Sequence, residues 1–189
     1  MRHSLQDALH TASIAAFSVV AIAPAGALDL PARKAGLWEI KMTFESRNLP
    51  PQVIQQCIDA ATDKMMNSIG GEMRQGICSK QDLQKVGNTL VVDSVCEIAG
   101  MTTSSHAVIT GDFNSGYSVK VASKRSGGPA IPGMPADGTT NISIETKWLS
   151  ACKSDQKPGD MIMADGRKIN IVDMQNMLPP NMRGAGQKK

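Results

Sequence analysis

The chain has 189 residues, a net charge of +3 and only 3% aromatic residues. Its basic residues are scattered apart from Lys124-Arg125 and Lys188-Lys189, and no basic stripe carries interleaved aromatics. This composition argues against nucleic acid as a partner. With so few aromatics, any core must be built from Val, Ile, Leu, Met and Ala.

Residues Met1 to Ala27 read as a secretory signal peptide: Arg2 is the positive start, Ala12 to Ala23 the apolar stretch, and Ala25-Gly26-Ala27 an A-x-A cleavage site. The stretch is shorter than the roughly 20 residues of a spanning helix. The first cysteine is Cys57, which excludes a lipid anchor at the cleavage site. Cleavage after Ala27 leaves about 160 residues, enough for one domain with a real core. The expected division is a signal peptide over 1–27, a β-rich domain over 28–160 and a weakly structured segment and tail over 161–189. The expected location is the periplasm or the exterior, with no membrane span after processing.

The first strand is predicted within Ala35–Ser46, where Trp38, Ile40, Met42 and Phe44 alternate with Glu39, Lys41 and Thr43. Pro50-Pro51 ends it. Gln52–Ile58 reads as a short second strand. Asp59 is placed as the cap of a short helix whose apolar face is Ala61, Met65 and Ile69, and Gly70-Gly71 is expected to stop it. Two strands, Cys78–Val86 and Thr89–Ile98, flank the turn signal Gly87-Asn88. The next hairpin pairs Gly100–Asp112 with Tyr117–Lys124. A fold about Asn114-Ser115 sets Thr110 opposite Val119, Val108 opposite Val121 and His106 opposite Ser123. A Gly- and Pro-rich loop from Gly127 to Gly138 carries Ile131 and Met134. Thr140–Leu149 is the last clear strand, with Ile142, Ile144, Thr146 and Trp148 on one face. Beyond it, Lys168–Met177 is compatible with a strand or a short helix, and Pro179 to Lys189 has no pattern. The expected fold is mainly β: an antiparallel meander or half-barrel of about six or seven strands with one short helix.

Cys57, Cys78, Cys96 and Cys152 form an even set in an exported chain, which favours disulfides. Their spacings lack the short pairs of a structural zinc site. Folding back at Gly87-Asn88 brings Cys78 opposite Cys96 or one place away, and a bulge aligns them. Cys57–Cys152 then closes the domain.

Gly36-Leu37-Trp38-Glu39, Cys57 before a helix, Cys78 and Cys96 bracketing Gly87-Asn88, Gly111-Asp112, and Trp148 followed by Ala151-Cys152 occur in this order. Together they resemble the domain-of-unknown-function 3617 family of exported bacterial proteins, from Ala32 to Gly159. The resemblance implies a bacterial periplasmic setting and supplies no catalytic residues. Gly36-x-Trp38 is also similar to the start of lipocalins, as a packing analogy in which a glycine lets an aromatic close one end of a barrel.

No nucleophile elbow, zinc-protease motif or phosphate-binding loop occurs. His106 is the one histidine beyond the leader, with Ser104 and Ser123 nearby, and nothing in the sequence forces a carboxylate beside it. Asp59 and Asp63 suit helix capping and a solvated face better than glycosidase work. Methionine is plentiful, with clusters at Met65-Met66, Met161-x-Met163 and Met174-x-x-Met177. Thioethers select Cu(I), but Met also fills aromatic-poor cores. No catalytic, cofactor or metal residue is assigned. The expected function is a non-catalytic binding or interaction module for a small apolar ligand or an envelope protein, using Trp38, His106, Tyr117 and Trp148 with the loop residues Ile131 and Met134. Cu(I) handling is the alternative and a hydrolase the third.

Overall fold

A computed structural model describes residues 30–45, 49–129, 135 and 137–177, without the side chains of 69–75. The leader, the loop residues Ile131 and Met134, and the tail from Pro179 lie outside the described residues. Nine strands form one antiparallel sheet: β1 (Gly36–Phe44), β2 (Gln52–Ile58), β3 (Cys78–Val86), β4 (Thr89–Ile98), β5 (Met101–Asp112), β6 (Gly116–Gly127), β7 (Thr139–Ser150), β8 (Asp160–Ile162) and β9 (Lys168–Asn170). Two helices accompany them, α1 (Ala60–Ile77) and α2 (Ile171–Met177). The sheet order is β3-β4-β5-β6-β7-β1-β2-β8-β9, so a five-strand meander is extended by the β1–β2 hairpin and then by β8 and β9.

The expected class holds, but the strand count rises from six or seven to nine. The added β8 and β9 have three residues each, too few for alternation to be visible in the sequence. Lys168–Met177 divides between the two options: Asn170 closes β9, and its Oδ1 accepts from the Val172 and Asp173 amides to start α2.

Helix α1 does not stop at Gly70-Gly71 but continues to Ile77. Each interior glycine costs about 1 kcal/mol relative to alanine, and the ends of the helix are held firmly enough to carry that cost. At the start, Asp59 Oδ1 accepts from the Thr62 amide while Thr62 Oγ1 accepts from the Asp59 amide, a reciprocal cap. At the far end, the chain passes directly into Cys78, which is bridged to Cys96. The connection must also travel from β2 to β3 across six interstrand steps. At about 4.8 Å each these cover about 29 Å, and 18 residues of helix supply about 27 Å.

Both expected disulfides are present. Cys78–Cys96 staples β3 to β4, with a register shift between Cys78 and Lys80 where the bulge was expected. Cys57–Cys152 ties β2 to the end of β7, the two strands that flank β1. The fully buried side chains gather at this point: Leu37, Trp38, Cys57, Ile58 and Asp63.

The β5–β6 hairpin is shifted by one residue from the expected register. Thr110 faces Ser118, Val108 faces Lys120 and His106 faces Ala122, whereas Ile109 faces Val119 and Ala107 faces Val121. The loop has three residues, not two, because Asp112 pairs with Gly116. Asp112 organises it by accepting from the Asn114 amide and the Ser115 hydroxyl. The hydrogen bond from the Asn114 amide, with that of the Ser115 hydroxyl, holds the Asp112 carboxyl below its usual range. A one-residue slip changes which side chains share a face, so this loop decides the composition of the inner surface.

Two further carboxylates make stability depend on acid. The Thr62 amide and hydroxyl lower the pKa of Asp59. Burial opposes ionisation of Asp160, but the Asn170 side chain, the Lys157 amide and the charges of Lys168 and Lys157 outweigh it and bring its pKa down. Both groups therefore hold fewer protons folded than unfolded near pH 4. Their contribution is complete above the ordinary aspartate value of about 3.9 and is lost as pH falls below it. Urea midpoints measured between pH 7 and pH 3 should decline on this limb. Asp59→Ala should cost about 1 kcal/mol at neutral pH and make the limb shallower.

Candidate apolar ligand site

Two cross-strand rows define one face of the sheet. The first is Leu83, Val92, Ala107, Val121, Ile142 and Phe44. The second is Lys85, Leu90, Ile109, Val119, Ile144 and Met42. The opposite face carries Asp93, His106, Lys120, Ser118, Glu145 and Lys41, as period-two alternation requires. Ile109 is buried, but every other apolar member of the two rows remains half-buried. A continuous apolar face left partly open is characteristic of an interaction or ligand surface.

Two elements wall this face, the segment Leu30–Lys34 and α1. The segment Leu30–Lys34 crosses it and is tied to α1: the Arg33 Nε and amide donate to the two Asp63 carboxylate oxygens at 2.7 and 2.9 Å. Arg33 Nη1 also donates to Gln56 Oε1 of β2, and Gln56 Nε2 donates to the sulfur of Met66. One network thus joins the N-terminal segment, β2 and the first turns of α1. Asp63, expected on a solvated helix face, is instead 1% exposed because Arg33 neutralises it there.

Between these walls and the sheet lies a cavity of about 360 Å³, lined by Leu30, Arg33 and Asn67 above and by Val92, Ala107, Ile109, Val119 and Val121 below. Phe113 and Tyr117 also line it, stacked at 4.5 Å, and Tyr117 lies 6.0 Å from the ring of Trp38. A second cavity of about 480 Å³ continues towards β3, lined by Leu83, Lys85, Asn88 and Leu90. The two meet at Pro31 and Phe113. These volumes are in the range of small-molecule sites, about 300–1,000 Å³. The described lining contains Arg33 and Lys85 and no carboxylate.

The expected ligand residues divide. Tyr117 lines the cavity, whereas Trp38 is fully buried behind it and absent from the described lining. Trp148 pairs with Trp38 across β1 and β7, donates its indole N–H to the Ala35 carbonyl, and carries Lys34 Nζ 3.6 Å above its ring. Gly36 has φ +135°, and a Cβ there would lie 2.5 Å from Trp148 Nε1. The aromatic that the glycine admits is therefore Trp148, not Trp38.

His106 is on the other face. Its Nδ1 is 2.8 Å from Asp93 Oδ1, a carboxylate the sequence did not place beside it, because β4 and β5 pair Asp93 with His106. No described hydroxyl bonds to its ring. The outer depression around this pair, about 380 Å³, includes Lys80, Ser104 and Lys124. The described members of the methionine clusters are not gathered near it: Met66 meets Gln56, Met161 pairs with Gln56 across β2 and β8, and Met174 and Met177 are exposed on α2. No group of three His, Cys, Asp or Glu with metal-binding geometry occurs among the described residues, and no described helix is long and apolar enough to cross a membrane.

Sequence reasoning missed Arg33, Asn67, Phe113 and Lys85. Lys85 left a trace, since it shares a strand face with Leu83 two residues earlier.

No curated protein and no solved structure matches the chain. The sequence model described as "Protein of unknown function (DUF3617)" matches residues 33–152, from Arg33 through β7 to Cys152, so it contains both disulfides and nearly all of the groove lining. The chain belongs to the DUF3617 family.

Proposed function

We propose that this protein is a non-catalytic binding module, working outside the cytoplasm, that holds a small apolar ligand in the groove between β3–β6, α1 and Leu30–Lys34. The observation that carries this reading is the pair of half-buried apolar rows beneath a cavity of small-molecule size. A concave, walled site favours a small ligand over an envelope protein, which would need a broad, accessible patch. The leader pattern and two disulfides support export, since such bonds persist in oxidising compartments. Among the described residues no nucleophile bonds to the Asp93–His106 pair, which fits a surface contact.

A neutral fluorescent probe, N-phenyl-1-naphthylamine, tests the reading. The oxidised protein should bind it saturably. Ala107→Phe should fill the cavity and weaken binding by about tenfold or more, equivalent to about 1.4 kcal/mol, with little change in Tm. His106→Ala, on the outer face, should leave binding unchanged. Absence of saturable binding, or binding indifferent to Ala107→Phe, would overturn the assignment.

A further inference from the structure

The groove is not uniformly apolar, and the one unpaired charge among its described lining residues lies at an end. Lys85 belongs to the inner row of β3, where its strand neighbour Leu83 and its cross-strand partner Leu90 are both apolar. Its side chain is exposed at the rim. Among the described residues it forms no ion pair, whereas Arg33, the other cation of the lining, is committed to Asp63 and Gln56. An ammonium facing an apolar channel whose described lining has no carboxylate sets up a positive potential there. We infer that the ligand is a single-chain amphiphile with an anionic head: the chain lies along the Leu90–Ile109–Val119 row towards Tyr117, and the head group meets Lys85 at the β3 rim. This rests on the apolar-ligand reading above and specifies its chemistry.

Dimensions agree. From β3 to β6 there are three interstrand steps, about 14 Å at the usual spacing, which suits a medium-length acyl chain. The cation described in the cavity of Phe113 and Tyr117 is Arg33, which is already engaged by Asp63 and Gln56, so polarity runs one way along the groove.

A competing role for an inward lysine on an edge strand is to prevent edge-to-edge association. Competition against N-phenyl-1-naphthylamine separates the two. Dodecanoate and 1-dodecanol share a chain and differ in the head. Dodecanoate should displace the probe at about tenfold lower concentration, as expected for one charge-assisted contact. Lys85→Gln should remove that preference while leaving dodecanol unchanged, and Lys85→Arg should retain it. Equal displacement by acid and alcohol in the unaltered protein would overturn the head-group assignment and leave the apolar groove intact. A preference that survives in Lys85→Gln, with only light scattering altered, would make Lys85 an edge guard and overturn its role. Failure to bind the probe or either competitor would overturn the groove reading itself.

Discussion

Replacing Cys57 and Cys152 together by alanine is expected to destabilise the protein by about 4–5 kcal/mol. The bridge spans a sequence separation of 95, against 18 for Cys78–Cys96. In the chain-entropy account a longer loop restricts the unfolded chain more, so loss of the short bridge should cost about 3 kcal/mol. Position adds to length. Cys57 is fully buried, as are Leu37, Trp38 and Ile58, so its removal also loosens the most buried part of the described core. Urea unfolding of the two double-alanine variants measures this directly. Equal midpoints would show that the loop-length argument does not govern this fold.

Arg33→Met should be almost as costly, about 3–5 kcal/mol, because it leaves Asp63 as a buried charge without its partner. The Arg33 and Asp63 side chains are only 11% and 1% exposed, so solvent offers little relief. Adding Asp63→Leu to Arg33→Met should recover most of the loss, since an apolar pair avoids the desolvation of both ions. The pair also has a functional side. It holds Leu30 and Pro31 over the sheet, and these two residues line the groove. Probe affinity should therefore fall in Arg33→Met and stay low in the stabilised double variant. Thermal unfolding and probe titration on the same samples separate the two effects. Full recovery of binding together with stability would mean that the segment does not need this tether.

By itself, the sequence determined the class of this fold and much of its stapling. Alternation of Ile40, Met42 and Phe44, or of Ile142 and Ile144, specifies half-buried strands because side chains in a strand point to alternate sides. The turn residues Gly87-Asn88 place β3 against β4 closely enough to identify Cys78–Cys96. Asp59 was legible as a cap because capping depends on residues three apart. What only the tertiary structure decided is everything set by distant pairing. The side-chain bonds of Asp112 lengthened one hairpin loop by a residue and exchanged Val108 for Ile109 on the inner face. The need to return from β2 to the far edge carried α1 through Gly70-Gly71. Arg33 and Asp63 lie 30 residues apart and meet because the N-terminal segment crosses the sheet face beside the helix. A groove is bounded by elements that are remote in sequence, and local periodicity carries no information about which of them become neighbours.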